Sequence, residues 1–263
     1  MARDKKSRDP VNCIMSLGDH LEELRARVIL ALAGLFVAMI VCIIFGKIII
    51  RFIEMPYVWA MGEQARLQII APADGFISYF QITMVAGAIV SSPWIFYQLW
   101  KFVAAGLYER ERRYIYYAVP FSTGLFITGA LFFVLVIAPV TLRVLVMFNK
   151  QVLGTVGIVV DSNFTFKNYV SFIAGMMLAF GIAFQTPVVI FVLTKMGLVS
   201  IETICKSRKY VMLSVFVVSA AVTPGSDMFS LFALAIPMYL LFELGIMVSR
   251  FSHRKKQLNN VSS

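Results

Sequence analysis

Six long stretches of the chain carry almost no charge, and Glu243 alone interrupts them. A helix of roughly 20 residues crosses the hydrocarbon layer of a membrane at about 1.5 Å per residue. Four stretches are comfortably long enough, and the last two are marginal. The pattern therefore predicts an all-α, polytopic membrane protein with six transmembrane helices. The six stretches are residues 28–46, 75–100, 114–142, 168–194, 210–226 and 228–249.

The basic residues gather on one side of these predicted spans. Eighteen of the 24 Lys and Arg residues lie in the two termini and in the loops 101–113 and 195–209. Positively charged loops stay on the cytoplasmic side, so both termini are expected in the cytoplasm. The net charge of +10 is thus a signal of topology. Nucleic-acid binding is not expected, because no stretch is long enough to form a basic soluble module.

The chain is expected to form a single membrane domain over residues 16–251. Residues 1–15 are interpreted as a disordered basic tail and residues 252–263 as a cytoplasmic tail. Ser16 is expected to cap a short amphipathic helix that lies along the cytoplasmic interface before the first span. Two longer loops, 47–74 and 143–167, are expected to cap the bundle on the other side.

Enzyme chemistry is not expected from this sequence. Both histidines, His20 and His253, lie in the tails, and the HExxH, GxSxG and P-loop motifs are absent. The three cysteines have no metal-ligand spacing. We therefore predict no catalytic residue, no metal site and no cofactor.

The predicted spans contain prolines and one isolated amide. Each proline removes a backbone hydrogen bond and bends a helix, and bent helices form a curved wall. Gln185 lies near the middle of the bilayer, where an amide must find partners. It indicates either a clasp between helices of this chain or a contact site for a partner helix. The prolines in the spans are Pro93, Pro120, Pro139, Pro187 and Pro237.

Four motifs, in order, make the sequence resemble the TatC family, the receptor subunit of twin-arginine protein translocation. They are His20-Leu-Glu-Glu-Leu-Arg25, the run from Pro93 through Phe102 to Arg113, Phe180-Gly-Ile-Ala-Phe-Gln-Thr-Pro187, and the stretch from Thr223 to Glu243. The resemblance covers about residues 16 to 251. It implies a cup-shaped bundle in the bacterial inner membrane that binds the twin-arginine signal peptides of folded precursors. It also implies small single-span TatA/TatB-type partners, other copies of the receptor and transport driven by the proton motive force.

The cytoplasmic acids are the expected contacts for such a signal. A carboxylate meets a guanidinium with charge-assisted hydrogen bonds, and acids are few on this basic face. Glu109 has Arg112 and Arg113 at helical spacing, and Glu23 has Arg27, whereas Glu111 has no basic partner at those offsets. By match to the family, the expected signal-contacting set is Glu23 and Glu111 with Leu21, Arg25 and Arg112.

The resemblance also implies a set of motif residues, whereas the expected partner contacts follow from the second alternative for Gln185 and from the two short last spans. Gln185, Ser214, Ser219 and Met238 are expected to meet partner helices within the membrane. The family often has Glu at the position of Gln185, so no titrating carboxylate is expected there. The turn from Thr223 to Asp227 is looser than the family's double-proline form. The expected motif residues are Pro93, Tyr97, Gln98, Trp100, Phe102, Pro187, Asp227 and Glu243.

A solute or ion transporter is the main alternative function. It would explain six bent spans, but it requires an ionisable pair in the membrane interior, and the sequence supplies only a neutral amide there. The two short spans, residues 210–226 and the part of the last span before Glu243, fall below the roughly 30 Å hydrocarbon thickness. We expect this side of the protein to thin the membrane and to bind partners.

Overall fold

The computed structural model describes residues 17–62, 66–105, 113–154, 164–222 and 228–261. These residues are almost entirely helical, apart from two short paired strands. A π-helical turn, Phe133–Ile137, links two of the helices. The elements are α1 (Leu17–Ile44), α2 (Gly46–Met61), β1 (Leu67–Gln68), α3 (Pro72–Val90), α4 (Ser92–Ala105), α5 (Arg113–Phe132), α6 (Ala138–Gly154), β2 (Phe164–Thr165), α7 (Phe166–Ala183), α8 (Thr186–Lys195), α9 (Ile201–Lys206), α10 (Arg208–Val222) and α11 (Met228–Val261).

Helix α1 is a single helix of 28 residues, or about 42 Å. The expectation of a separate interfacial helix before the first span is therefore wrong. Residues 17–28 are mostly Leu, Glu, Arg and Ala, which favour helix, and they contain no proline that would end it. Because α1 is longer than the roughly 30 Å hydrocarbon layer, part of it must extend beyond a membrane that it spans upright. Ser16 and the tail before it lie outside the described residues.

Five helical runs within the described ranges are long and apolar enough to cross a membrane. One of them joins α5, the π-helical turn and the start of α6, and another joins α7 to α8. The prediction of an all-α membrane bundle is confirmed. Helix α10, the fifth predicted span, has only 15 residues, or about 22 Å. The five runs are His20–Ile44, Pro72–Val90, Tyr117–Phe148, Phe166–Lys195 and Ser230–Phe251.

The prolines break the spans in a different way from the one expected. Pro93 is the second residue of α4 and Pro187 the second residue of α8, so each stands in a first turn, where its missing N–H is not needed. Short joints before these helices interrupt the helical runs. Pro120 and Pro237 do lie inside helices, in α5 and α11, as the sequence predicts.

The core lies between α2, α3, α5 and α7. Phe133 and Phe180 are fully buried, and their ring centroids are 5.2 Å apart. A Cβ atom at Gly129 would lie 2.7 Å from the carbonyl oxygen of Phe180, so α5 and α7 approach closely only because this residue is glycine. Close backbone contact of this kind is the usual basis of helix association in lipid.

One end of the bundle, the capped end, is closed by α2 and by the parallel strands β1 and β2. The register pairs Leu67 with Phe164, which joins the two loops that the sequence predicts as a cap. Tyr57 donates from its hydroxyl to the Arg66 carbonyl at 2.8 Å, and burial raises the pKa of this hydroxyl, so it stays a neutral donor. Asp74, at the start of α3, lies 3.2 Å from the Lys167 ammonium.

Candidate functional site

A groove of about 260 Å³ separates α1 from α4 at the end of the bundle opposite the capped end. Its walls are mostly apolar. The polar members of its lining are Arg27 on α1 and Gln98 on α4, and Phe102 stands near its outer end. The Phe102 ring stacks on His20 with 4.5 Å between centroids. This stacking holds the beginning of α1 against the end of α4.

Trp94 fixes the distance between the two helices that form the groove. Its indole N–H donates to the carbonyl oxygen of Leu30 at 2.9 Å. A Cβ atom at Gly34 would lie 2.2 Å from the Trp94 ring, so only glycine leaves room for this indole. The groove therefore has a defined width, set by one residue on each wall.

Glu23 lies one helical turn before Arg27. The Arg27 guanidinium donates from Nη2 to Glu23 Oε1 at 3.0 Å, which confirms the pairing expected from their spacing. The same guanidinium donates from Nη1 to Gln98 Oε1 at 3.4 Å. The side chains of Arg27 and Glu23 are only 20% and 21% exposed, so the pair is partly shielded from water.

The other residues predicted to contact a signal peptide differ in what the structure says about them. Leu21 and Arg25 are exposed on α1, with Leu21 65% exposed. Glu111 and Arg112 lie outside the described residues, in the segment between the end of α4 and the start of α5. That segment leaves α4 only a few residues beyond Phe102. The structure thus brings together Glu23, Arg27 and Gln98 and leaves the position of the second predicted acid undescribed.

Helix α4 carries most of the predicted motif residues. Tyr97 is exposed, and the Lys101 ammonium lies 5.5 Å from the centre of its ring. Trp100 is buried and donates from its indole N–H to the hydroxyl of Ser122 on α5 at 2.9 Å. Sequence reasoning missed Ser122 and the bond from Trp94 to Leu30, since nothing local marks a serine or a carbonyl as the acceptor of a distant indole.

Gln185 forms a hydrogen bond within the chain. Its Nε2 donates to the Ser122 carbonyl at 3.0 Å, which matches the interhelix clasp, one of the two alternatives for this residue. Its Oε1 accepts no hydrogen bond from the residues that the structure describes. The side chain is half-buried, so the described residues do not enclose it completely.

The partner contacts expected on α10 and α11 need one correction. Ser219 is fully buried and its hydroxyl lies 4.0 Å from the Met238 sulfur, so it packs α10 against α11 and is not accessible to a docked helix. A small residue at this position allows the two helices to approach. Ser214 is exposed and donates to the Val211 carbonyl of its own helix. Met238 is half-buried against the core.

Glu243 forms an ion pair that joins α10 and α11. Its Oε2 accepts from Arg208 at 2.8 Å, and its Oε1 accepts from the Tyr239 hydroxyl at 3.1 Å. Arg208 is the first residue of α10, so the pair marks the level at which this helix begins. Asp227 lies outside the described residues. Among the described residues, no three His, Cys, Asp or Glu side chains gather as metal ligands.

Comparison with known proteins agrees with this arrangement. The family model described as Sec-independent protein translocase protein (TatC) matches residues 19–237. The TatC protein of Carboxydothermus hydrogenoformans is 31% identical, with 92% of this chain and 96% of that protein covered. The Aquifex aeolicus protein is 32% identical over 92% of this chain and 98% of its own length. The Escherichia coli protein is 33% identical, with 88% of this chain and 87% of that protein covered.

Solved structures show the same likeness. A crystal structure of the twin-arginine translocase receptor TatC superposes with a TM-score of 0.76 at 29% identity, covering 89% of this chain and 99% of that one. A second crystal structure of the TatC receptor, in DDM, gives a TM-score of 0.78 at 30% identity. The superposition covers 88% of this chain and 99% of that one. The family is a non-enzymatic component of a multi-pass membrane translocase, which confirms the prediction that this protein is not an enzyme. The chain belongs to the TatC family of Sec-independent protein translocases.

Proposed function

We propose that this protein is the receptor for twin-arginine signal peptides and that the rim of the groove is where one signal arginine binds. The observation that carries this proposal is the pair between Glu23 and Arg27. The Glu23 carboxylate already holds a guanidinium of its own chain at 3.0 Å through one oxygen. Since a carboxylate has room for several donors, the second oxygen can accept a guanidinium of the ligand.

The surroundings of Glu23 favour a short cationic segment followed by apolar residues. The groove next to it has apolar walls and a volume of about 260 Å³, which is enough for a few aliphatic side chains. Most of the basic residues of the chain lie in the two termini and the loops 101–113 and 195–209. A cationic ligand is therefore repelled at most positions and attracted at the few acids.

Glu111 is the second acid of this proposed site. It has no basic residue at helical spacing and lies in the segment that follows α4, the helix that forms one wall of the groove. A twin-arginine signal has two consecutive guanidinium groups. Glu23 and Glu111 would provide one carboxylate for each of them. Leu21, Arg25 and Arg112 would complete the surroundings of the peptide.

The complex proposed for this subunit includes other Tat subunits in the bacterial inner membrane. We place both termini in the cytoplasm because of the distribution of Lys and Arg. Small single-span TatA/TatB-type subunits and further copies of this protein are the proposed partners. The Oε1 of Gln185, the exposed Ser214 and the half-buried Met238 are their proposed contacts in the membrane. The solute-transporter alternative has no support from the family match.

A titration tests the receptor site directly. The full-length protein in nanodiscs is titrated with a labelled twin-arginine peptide and with the twin-lysine version of the same peptide. Glu23→Gln should weaken binding of the twin-arginine peptide by roughly 10-fold or more, because it removes the negative charge and replaces one accepting oxygen by an NH2 group, which cannot accept from a guanidinium. Glu22→Gln is the matched control, since Glu22 is the exposed neighbour of Glu23 on α1 and carries the same charge. Equal binding by the two variants would contradict the proposed site.

A further inference from the structure

Three hydrogen-bonded polar side chains connect the interior of the bundle to the rim of the groove. They are Gln98, Arg27 and Glu23, and together they are called the relay. Gln98 is only 2% exposed, and its Oε1 accepts from Arg27 Nη1 at 3.4 Å. Arg27 Nη2 in turn donates to Glu23 Oε1 at 3.0 Å. Gln98 lies 71 positions from Arg27 in the sequence, so this contact exists only because α4 packs against α1.

The guanidinium at the centre of the relay has little freedom to move. It is planar, and its two terminal nitrogens are bound to acceptors on different helices. Its Nε is buried and has no acceptor among the residues that the structure describes. A buried donor without a partner costs free energy. Arg27 is therefore held in a position that leaves one of its own hydrogen-bond donors unused. This geometry is typical of a side chain that orients another group.

Glu23 is left with one oxygen open. Oε1 is taken by Arg27, whereas Oε2 accepts no hydrogen bond from the part of the chain that the structure describes. A solvent-exposed glutamate samples several rotamers, and a ligand must order them at an entropic cost. A carboxylate that is already held by a fixed guanidinium offers its free oxygen in one direction and avoids that cost.

We propose that Gln98 and Arg27 are positioning residues for the Glu23 carboxylate and that they set the preference of the receptor for arginine over lysine. This inference rests on the proposed signal-peptide site and extends it to two residues that need not touch the peptide. A fixed acceptor suits the rigid fork of a guanidinium. A compact ammonium on a flexible stem adapts equally well to a mobile carboxylate. Loosening the relay should therefore reduce affinity for the twin-arginine peptide more than affinity for the twin-lysine peptide.

The first test replaces Gln98, with the same nanodisc titration. Gln98→Leu should weaken binding of the twin-arginine peptide by about tenfold, which lies in the range of couplings between residues of one hydrogen-bond network. It should also reduce the ratio of the affinity for the twin-arginine peptide to the affinity for the twin-lysine peptide. Gln98→Glu retains an acceptor for Arg27 and should restore both the affinity and the ratio. Unchanged or tighter binding by Gln98→Leu would overturn the proposal, because Arg27 would then compete with the ligand and not orient Glu23.

The second test is a double-mutant cycle of Gln98 and Glu23. It distinguishes positioning of Glu23 from a general structural role of Gln98, which would lower affinity in either background. In the Glu23→Gln background, Gln98→Leu should cause no further loss, since the group that it positions is gone. Full additivity of the two losses would overturn the relay. If Gln98→Leu unfolds the protein, Arg27→Lys in the same cycle serves instead, because an ammonium can still pair with Glu23 but cannot hold both acceptors in one plane.

The two proposals fail in different ways. If Glu23→Gln leaves twin-arginine binding unchanged, the receptor site itself is placed wrongly, and the relay falls with it. If Glu23→Gln weakens binding while Gln98→Leu and Arg27→Lys bind normally, the receptor site stands and the relay alone is refuted.

Discussion

Trp100 and Gln185 donate to the same residue, although they lie in different halves of the chain. The Trp100 indole N–H reaches the Ser122 hydroxyl at 2.9 Å, and the Gln185 amide reaches the Ser122 carbonyl at 3.0 Å. Ser122 is fully buried in α5. The two bonds tie α4, α5 and the joint between α7 and α8 at one point. The joint before Pro187 is thereby fixed relative to α4, the helix that forms one wall of the groove.

Trp100→Phe should lower the stability of the protein by about 1 kcal/mol, the usual value of one hydrogen bond. The smaller phenyl ring fills only part of the indole space, which adds a packing loss to this value, and the buried Ser122 hydroxyl loses its donor. Thermal unfolding in detergent micelles measures the loss. In the Ser122→Ala background the same substitution should cost less, because the acceptor is already absent. Equal losses in the two backgrounds would show that Trp100 stabilises by packing alone.

Gln185→Leu should leave the protein folded and inserted, because single interhelix hydrogen bonds in membranes average about 0.6 kcal/mol. Its effect should appear in the complex. The Oε1 of Gln185 accepts no bond from the described residues, so a polar residue of a signal or partner helix is its proposed donor. Site-specific crosslinking to single-span partners should decrease in this variant. Unchanged crosslinking together with unchanged export would assign Gln185 to the clasp with Ser122 alone.

The helices and the first acid of the site could be predicted from local pattern. Runs of apolar residues predict the spans, and the spacing of Glu23 and Arg27 predicts their ion pair. The contact of Arg27 with Gln98 could not be predicted, because it depends on how two helices pack and leaves no periodic signal. The same holds for the pairing of β1 with β2, whose strands have two residues each.

The sequence predicts that each proline bends the helix that contains it, and for Pro93 and Pro187 this prediction is wrong. Pro93 and Pro187 stand in the first turns of new helices, and the sequence shows the proline without showing where the helix restarts. Ser219 is expected on a partner surface because it lies in the short fifth span. The structure places it inside, against Met238. Which face of α10 meets α11 depends on how the two helices pack, and the sequence of α10 alone does not show it.

Glu111→Ala should weaken binding of a twin-arginine peptide by about 1.5 to 3 kcal/mol, the range for hydrogen bonds to charged groups. Glu109→Ala is the matched control and should have a much smaller effect. Glu109 has Arg112 and Arg113 at helical spacing, so its charge is satisfied locally, whereas Glu111 has no such neighbour. A peptide titration measures both. Equal losses at the two positions would remove the argument that the absence of a basic neighbour distinguishes Glu111 from Glu109.

The shortness of α10 gives the last prediction. Its 15 residues measure about 22 Å, less than the roughly 30 Å hydrocarbon layer. The ion pair between Arg208 and Glu243 marks the level at which α10 begins, so the part of α11 that lies beside it is equally short. A short span is accommodated by thinner lipid or by a partner protein, at fractions of a kcal/mol per Å. The exposed apolar side chains of α10 are available to either.

Inserting three or four leucines into α10 should relieve this mismatch and impair export, because the membrane beside the helix would no longer be thinned. Binding of the twin-arginine peptide should be unchanged, since the groove lies between α1 and α4 and α10 does not line it. An export assay and a peptide titration on the same variant separate the two effects. A matched control replaces exposed Leu213 and Val217 by other aliphatic residues without changing the length of α10. Normal export by the lengthened protein would mean that the short helix is incidental to transport.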